Sequence, residues 1–349
     1  MNPRTFILAI AAALLAFAPL AGQSKVAGPD VYVLGTKGTG AEADEGEVTK
    51  PALWKNGVEV PLTLNSDASA QSIFVSGKDV YLAGYVRLPS ENEDGTYVPT
   101  LWKNGAAKPL GGTGNAESIF VSGGDVYVAG SESDEKGARM VTLWKNGVAQ
   151  HLGGTGSAES IFVSGNDVYL AGQSTGKAGE PNVATLWKNG VAQRLGNGKD
   201  NSHACSVYVS GNDVYVAGFE VVKVKNEKKT MATLWVNGVA KRLNDGKRDA
   251  DALYVSVSGG DVYVAGRENN AEGEAVATLW KNGKAQRYDA VPNPSPRSVY
   301  VQGGDVYWVG TSYDEEGGSA ATLWKNGKAQ RVGKGKANTW AYSVFIVGK

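Results

Sequence analysis

Residues 160–195 read SIFVSGNDVYLAGQSTGKAGEPNVATLWKNGVAQRL, and this stretch decides the fold. Two short runs of β-forming residues flank Gly165-Asn166, and two more flank Asn189-Gly190. Asn-Gly between such runs is a strong signal for a tight hairpin, because both residues tolerate the positive φ of a type I′ turn. The stretch therefore predicts a four-stranded antiparallel meander, whose strands are named a, b, c and d in chain order.

The same unit recurs seven times along the chain. Its Leu-Trp-Lys-Asn-Gly segment lies at Leu53–Gly57, Leu101–Gly105, Leu143–Gly147, Leu186–Gly190, Leu234–Gly238, Leu279–Gly283 and Leu323–Gly327. Only the fifth copy differs, with Val236 in place of the lysine. Successive tryptophans of this segment lie 48, 42, 43, 48, 45 and 44 residues apart. A period of this length indicates a stacked or radial array of repeats.

The composition of the strands predicts which of them is innermost. Strands a and b are almost wholly apolar, as expected for strands covered on both faces. The fourth residue of strand d is Pro61, Pro109, His151, Arg194, Arg242, Arg287 or Arg331. Proline and positive charge protect exposed sheet edges. We therefore expect strand d at the outer edge of each unit and strand a at the centre of a β-propeller.

The two ends of the chain contain complementary halves of one unit. The segment Ser343–Lys349 closely matches Ser72–Lys78, and the first unit begins at Asp30, where the second unit has Asp79. The C-terminal strand therefore supplies the missing strand a of the first blade. The sequence predicts an all-β fold: a seven-bladed β-propeller of four-stranded antiparallel blades, at residues 30–349, closed by the C-terminal strand joining the N-terminal blade.

At this point the chain resembles the seven-bladed propellers of the WD-repeat and kelch-like kind. The resemblance rests on the strand order and on motifs such as Gly124–Gly130 (GDVYVAG) and Leu143-Trp144. The Trp-Asp pair of WD repeats is absent, and the double glycine that follows strand b in kelch repeats is single here. The resemblance implies a protein that binds more often than it catalyses.

The N-terminus predicts export. Arg4 precedes the apolar run Phe6–Phe17, which is too short to span a bilayer and is followed by small residues. We interpret residues 1–22 as a secretory signal peptide and residues 23–29 as a short linker, and we expect a secreted or periplasmic protein without a membrane span. The single cysteine, Cys205, excludes an internal disulfide.

The charge balance argues against a polyanionic partner. The chain has 35 basic and 35 acidic residues, so there is no net attraction to nucleic acid. None of the acidic loops has the aspartate spacing of a calcium loop, and we expect neither a metal nor a cofactor. We expect a monomer.

The two faces of the propeller differ in sequence. The a–b and c–d turns are short and nearly identical in every unit, whereas the b–c and d–a loops on the other face vary, and sites usually lie on such loops. One position at the start of strand a also varies: Gln71, Glu117, Glu159, Cys205, Leu253, Arg297 and Tyr342. Our hypothesis is a ligand-binding site at the funnel mouth formed by Gln71, Glu117, Glu159, Arg297 and Tyr342.

The function that follows is a binding module for a protein, peptide or glycan at its variable-loop face. One alternative is a carbohydrate hydrolase or lyase, in which Glu117 and Glu159 supply the two carboxyl groups. Another is a multivalent lectin with equivalent sites between blades, although the tryptophans are better placed to pack between blades. We predict no catalytic residue, because the neighbouring His203 and Cys205 lack an identifiable third group.

Overall fold

The computed structural model describes residues 28–43, 46–64, 67–89, 95–176, 180–288, 295–313, 318–333 and 338–348. The predicted signal peptide at residues 1–22 lies outside the described residues. All regular secondary structure within those ranges is β strand. They contain no helix of the length and apolarity that crossing a membrane requires.

The strands form seven four-stranded antiparallel blades. Blade 1 consists of β27 (Thr339–Val347), β1 (Asp30–Ala43), β2 (Gly46–Lys55) and β3 (Val58–Val60). Blade 2 consists of β4 (Ala68–Ser76), β5 (Asp79–Leu88), β6 (Thr96–Lys103) and β7 (Ala106–Pro109). Blade 3 consists of β8 (Gly114–Ser122), β9 (Asp125–Ser133), β10 (Arg139–Lys145) and the first part of β11 (Val148–Ser164).

Blade 4 begins with the second part of β11 and continues with β12 (Asp167–Thr175), β13 (Val183–Lys188) and β14 (Val191–Arg194). Blade 5 consists of β15 (Ser202–Ser210), β16 (Asp213–Val224), β17 (Glu227–Val236) and β18 (Val239–Arg242). Blade 6 consists of β19 (Ala250–Ser258), β20 (Asp261–Asn269), β21 (Ala275–Lys281) and β22 (Lys284–Arg287). Blade 7 consists of β23 (Ser295–Gln302), β24 (Asp305–Tyr313), β25 (Ser319–Lys325) and β26 (Lys328–Arg331).

The innermost strands close a ring around the axis. Each of β27, β4, β8, β11, β15, β19 and β23 contacts the next, and β23 contacts β27. The ring is closed as predicted, because β27 pairs antiparallel with β1. Asp30 lies opposite Val347 and Leu34 opposite Ser343, which is the register between β4 and β5 in blade 2. The four-residue outer strands of blades 2, 4, 5 and 6 are exposed along their whole length, as expected for strand d.

Blades 3 and 4 share one continuous strand, which the sequence did not predict. Thr155 of β11 pairs with Met140 of blade 3 and with Thr175 of blade 4. Blades 3 and 4 therefore form a single seven-stranded sheet. The link between blades 2 and 3 has the same length, with Pro109 in place of His151, and forms no continuous strand.

The tryptophans of strand c pack between blades, which confirms the packing interpretation. All seven are at most 1% exposed. Trp187 of blade 4, for example, lies in a cluster with Tyr127, Val141 and Leu143 of blade 3. Large rings in such gaps bury much apolar surface, and removing one typically costs about 3–5 kcal/mol.

The aspartate that begins strand b joins the two tight turns of its blade. In blade 4, the side-chain amide of Asn189 donates to Asp167 Oδ1 at 2.7 Å and accepts from the backbone amide of Val168 at 2.8 Å. The Lys188 ammonium lies 2.7 Å from Asp167 Oδ2 and 5.2 Å from the ring centroid of Tyr169. Hydrogen bonding to Lys188, and then to Asn189, holds the pKa of Asp167 below its usual value. The aspartate therefore fixes the neighbouring c–d turn.

Candidate functional site

Each innermost strand contains one β-bulge, at the position that the sequence marked as variable. In blade 4, the pairing steps from Ala158 opposite Gly172 to Ser160 opposite Ala171, so Glu159 is the extra residue of the ladder. The equivalent residues of the other blades are Gln71, Glu117, Cys205, Leu253, Arg297 and Tyr342. A bulge changes the direction of a side chain without ending the strand. The fold thus places seven unlike side chains at one level of the ring.

A glycine on strand b makes each bulge sterically possible. A β-carbon at Gly172 would lie 2.0 Å from the carbonyl oxygen of Ser157 and 2.8 Å from the α-carbon of Ala158. The corresponding β-carbon–oxygen distances are between 1.8 and 2.0 Å at Gly35, Gly84, Gly130, Gly218 and Gly266. No side chain fits at such a separation. The glycine of the DVYVAG motif therefore belongs to the bulge, a role that the sequence analysis missed.

The five residues of the predicted site occupy equivalent places but differ in accessibility. Gln71, Glu117 and Glu159 are buried, with 8%, 2% and 5% of their surface exposed, whereas Arg297 and Tyr342 are half-buried. The Gln71 amide donates to Ser69 Oγ at 2.7 Å. The Tyr342 hydroxyl lies 3.0 Å from Thr36 Oγ1. Among these five residues, Arg297 and Tyr342 are therefore the two that are partly accessible to solvent.

Two buried carboxyl groups lie within electrostatic range of each other at this level. Burial, followed by repulsion from Glu159, raises the pKa of Glu117 to about 8. Arg139 and a hydrogen bond to Asn115 oppose this shift. Glu117 Oε2 has no hydrogen-bond partner within the described part of the chain. Burial and repulsion from Glu159 therefore both favour the neutral form of Glu117.

The next two blades continue this polar network. Glu159 Oε1 lies 3.5 Å from His203 Nε2. Burial, followed by the charges of Glu159 and Asp251, raises the pKa of the Cys205 thiol. Because the thiolate is the nucleophilic form, these surroundings suppress the reactivity of Cys205. The structure thus gives no support to a nucleophile formed by His203 and Cys205.

In blade 6, the Arg267 guanidinium forms two hydrogen bonds to the Asp251 carboxylate, one of them 3.1 Å long from Nε. Tyr254 is buried, and its surroundings include Arg297, Cys205, Arg267 and Glu159, with burial as the main cause of its raised pKa. Tyr254 stands where the other six blades have serine. It also lines the cavity described next, so it connects the bulge level to the centre of the ring.

The serines that follow the bulges connect neighbouring blades. Ser72, Ser118, Ser160 and Ser206 accept hydrogen bonds from backbone amides of the next blade. These bonds measure between 3.0 and 3.2 Å. Their level is thus rigidly held, which gives the bulge residues above it a fixed base.

An axial cavity of about 270 Å³ lies directly beside this level. It is lined by the residues that follow the bulges on all seven innermost strands. Two strand positions after the serine, six blades carry an aromatic side chain and blade 6 carries Ser256. These positions are Phe345, Phe74, Phe120, Phe162, Tyr208, Ser256 and Tyr300, and they are named the aromatic collar.

Sequence reasoning missed the aromatic collar as a site. Its signal was present, because the second residue after the serine is Phe or Tyr in six of seven units. In a repeat this regularity looks like core packing. Only the structure shows that these rings face the axis and line a cavity.

Comparison with known repeat families identifies part of the chain. Residues 113–134, 155–176 and 201–222 match the LVIVD repeat. Each segment covers strands a and b of one blade, including its bulge, in blades 3, 4 and 5. The β-propeller architecture that the resemblance implied is confirmed. The repeats that match are of the LVIVD type. A comparison with curated proteins found no match.

Solved structures similar to the chain include propellers of peptidases. The β-propeller domain of the Trilobed protease from Pyrococcus furiosus is 11% identical, with 89% of this chain and 97% of that chain covered and a TM-score of 0.53. The Pyrococcus horikoshii acylaminoacyl peptidase is 14% identical, with 88% and 51% covered and a TM-score of 0.52. A Mycobacterium tuberculosis puromycin-hydrolyzing peptidase is 11% identical, with 93% and 54% covered and a TM-score of 0.57.

The chain spans about half the length of the last two peptidases. Identities this low establish a shared fold and nothing about activity. The class of protein defined by the fold is a β-propeller repeat protein, and three of its blades contain segments that match the LVIVD repeat.

Proposed function

We propose that this propeller is an exported binding module whose ligand, a protein, peptide or glycan, meets the variable-loop end of the axial channel. The observation that carries the proposal is the set of seven bulges. A regular propeller would present seven identical edges to its axis, whereas this one presents unlike side chains on a rigid wall beside a cavity. Binding sites combine such an apolar concavity with a few fixed polar groups.

Arg297 and Tyr342 are the polar contacts that we propose for the ligand. Both are half-buried, so each keeps a fixed direction and some accessible surface. They stand on the adjacent strands β23 and β27. Gln71, Glu117 and Glu159 then support the site from within, because their side chains are buried.

Export is proposed from the N-terminal sequence. Arg4 and the apolar run Phe6–Phe17 are typical of a secretory signal. Fractionation of the producing cells tests it: the mature protein is expected outside the cytoplasm, and its retention there with an intact N-terminus would contradict export.

Selection of ligands against the folded protein tests binding at the mouth. A displayed peptide library and a glycan array supply the probes. The dissociation constants of selected ligands are then measured for the wild type, Arg297→Ala and Tyr342→Phe. Val191→Thr is the control, since Val191 is 73% exposed on an outer strand. We expect the first two variants to weaken binding and the control to leave it unchanged.

Two results would contradict this site. One is that ligands bind all three variants with equal affinity. The other is that neither library yields a ligand for the folded protein.

Hydrolysis of a carbohydrate is a second candidate, favoured by one observation. Glycosidases use a carboxylic acid and a carboxylate, and the raised pKa of Glu117 beside Glu159 supplies a protonated member of such a pair. The burial of both groups opposes direct contact with a sugar. Turnover of a glycan panel that is lost in Glu117→Gln would favour the enzyme. The seven tryptophans of strand c are buried and therefore cannot stack on a sugar, which argues against the lectin alternative.

A further inference from the structure

The wall of the axial cavity is chemically asymmetric. Phe345, Phe74, Phe120 and Phe162 form a continuous apolar arc on blades 1 to 4. The ring centroids are 4.5 Å apart between Phe345 and Phe74, and 5.0 Å apart in the next two pairs. Interplanar angles near 50° give each ring an edge contact with its neighbour. This arc offers a curved aromatic surface.

The opposite arc is lined with hydroxyl groups. Tyr208, Ser256 and Tyr300 occupy the collar positions of blades 5 to 7, and Tyr254 and Ser298 also line the cavity there. Burial raises the pKa of both Tyr208 and Tyr300, and Tyr208 adds to the shift of Tyr300. Tyr208 and Tyr300 therefore flank Ser256 along the cavity wall, within electrostatic range of each other. In the described part of the chain, neither hydroxyl has a hydrogen-bond partner.

Ser256 leaves a gap in the collar. Every other blade fills this position with a phenylalanine or tyrosine ring, and serine is smaller by a whole ring. The cavity measures about 270 Å³. An engineered apolar cavity of about 150 Å³ holds a benzene molecule. One aromatic ring with a substituent therefore fits here.

We propose that the axial cavity binds a single hydroxyl-bearing aromatic ring, a phenol by class, with the ring against the phenylalanine arc and the hydroxyl in the gap at Ser256. This proposal deepens the proposed function. It rests on that function in one respect, namely that the ligand reaches the cavity from the funnel mouth. The described residues that line the cavity include no charged side chain, so a neutral ligand is favoured over an ion. A hydroxyl on the ligand can also form hydrogen bonds with the hydroxyl groups of this arc, which a purely apolar ligand cannot do.

Two sources contain this chemistry, a free phenol and the tyrosine side chain of a peptide. The probes are therefore 4-methylphenol, toluene and N-acetyltyrosinamide. Toluene lacks only the hydroxyl of 4-methylphenol, and N-acetyltyrosinamide adds a peptide backbone to the same ring. Dissociation constants are measured by ligand-observed NMR, and melting temperatures show that each variant is folded.

The repeat itself suggests the decisive substitution. Ser256→Phe introduces the residue that blades 1 to 4 have at this position, and we expect it to fill the gap and abolish binding of 4-methylphenol. Ser256→Ala is the matched control, and we expect it to bind within about threefold of the wild type, the loss of at most one weak hydrogen bond. If Ser256→Phe does not fold, the double variant Tyr208→Phe, Tyr300→Phe replaces it. That variant removes two oxygen atoms only, and we expect the preference for 4-methylphenol over toluene to fall about fivefold.

Three results would overturn the proposal. The first is that the wild type does not bind 4-methylphenol at millimolar concentration. The second is that it binds toluene and 4-methylphenol with equal affinity. The third is that folded Ser256→Phe binds 4-methylphenol with unchanged affinity. Arg297→Ala separates this proposal from the function at the mouth. If N-acetyltyrosinamide binds and Arg297→Ala weakens it, both stand and a peptide is the source. If 4-methylphenol binds and N-acetyltyrosinamide does not, the cavity stands with a free phenol as its ligand, and a tyrosine side chain as its source is rejected.

Discussion

Gly172 lies so close to Ser157 across the ladder that a β-carbon on Gly172 would be 2.0 Å from the Ser157 carbonyl oxygen. This approach is the local consequence of the bulge at Glu159, which compresses β11 against β12. Gly172, the bulge and the side chain of Glu159, whose direction the bulge changes, therefore form one structural unit. Because the unit recurs around the ring, the fold can vary the bulge residue freely while its surroundings stay constant.

Gly172→Ala is expected to destabilise the protein by about 2–3 kcal/mol, because the added methyl group overlaps backbone atoms that cannot move independently. Equilibrium unfolding in denaturant measures the change. Gly165→Asn is the control: Gly165 has φ of 58°, which asparagine tolerates, and a β-carbon added there would meet nothing within 4 Å. Equal stabilities of Gly172→Ala and the wild type would mean that the bulge relaxes without cost.

Removal of Ser343–Lys349 is expected to destabilise the whole ring. The deletion takes away most of the pairing of β27 with β1 and exposes the inner edge of blade 1. It also removes the fully buried Val344 and the buried Ile346, each of which contributes roughly 1.5–3 kcal/mol. Deletion of Gly348 and Lys349 alone is the control, because β27 ends at Val347. A melting temperature equal to that of the control would contradict closure by this strand.

Trp187→Ala is expected to reduce the free energy of unfolding by about 3–5 kcal/mol, because it leaves a cavity between blades 3 and 4. Thermal and denaturant melts measure the loss. Val191→Thr, on the exposed outer strand, is expected to change stability by less than about 0.5 kcal/mol. A variant Trp187→Ala that melts like the wild type would show that the ring is not needed for packing.

Most of the fold was predictable because the information is repeated. Seven copies of Asn-Gly and of Leu-Trp fix the hairpins and the period, and the matching ends at Asp30 and Ser343 fix the closure and its register. The shared strand β11 was not predictable, since the link between blades 2 and 3 has the same length and nearly the same sequence and forms no continuous strand.

The site was predictable in position and less so in character. Variation at one strand position located Glu117 and Glu159 at equivalent places in adjacent blades. Their burial was not predictable, because it depends on a bulge, and a bulge has no signature in the strand that contains it. The better signal was the glycine opposite, such as Gly172, which no packing argument on strand b explains. The cavity remained hidden because the collar position, exemplified by Phe120, has the composition of ordinary core.

The buried acid Glu117 makes stability depend on pH in an unusual direction. Three charged or polar groups act on it from the surrounding strands, namely Glu159 on β11, Arg139 on β10 and Asn115 on β8. Burial is the largest cause of its raised pKa and repulsion from Glu159 the second. On the tight-turn face, by contrast, a neighbouring lysine lowers the pKa of most aspartates whose pKa is shifted. Asp167 is an example.

Stability is expected to fall as pH rises from about 4.5 to about 8, because the folded state keeps the Glu117 proton up to a pKa of about 8 and the unfolded state releases it near 4.5. The folded state binds more protons in this window, so the free energy of unfolding decreases with pH, by at most about 1.4 kcal/mol per pH unit for one proton. Glu117→Gln keeps the shape of the neutral acid, and we expect it to be more stable than the wild type at pH 8 and similar to it at pH 4.5. Glu135→Gln, at an exposed loop position of the same blade, is the control and is expected to follow the wild type. Denaturant unfolding between pH 4.5 and 9 measures all three proteins, and parallel profiles for the wild type and Glu117→Gln would show that Glu117 is ionised in the folded protein.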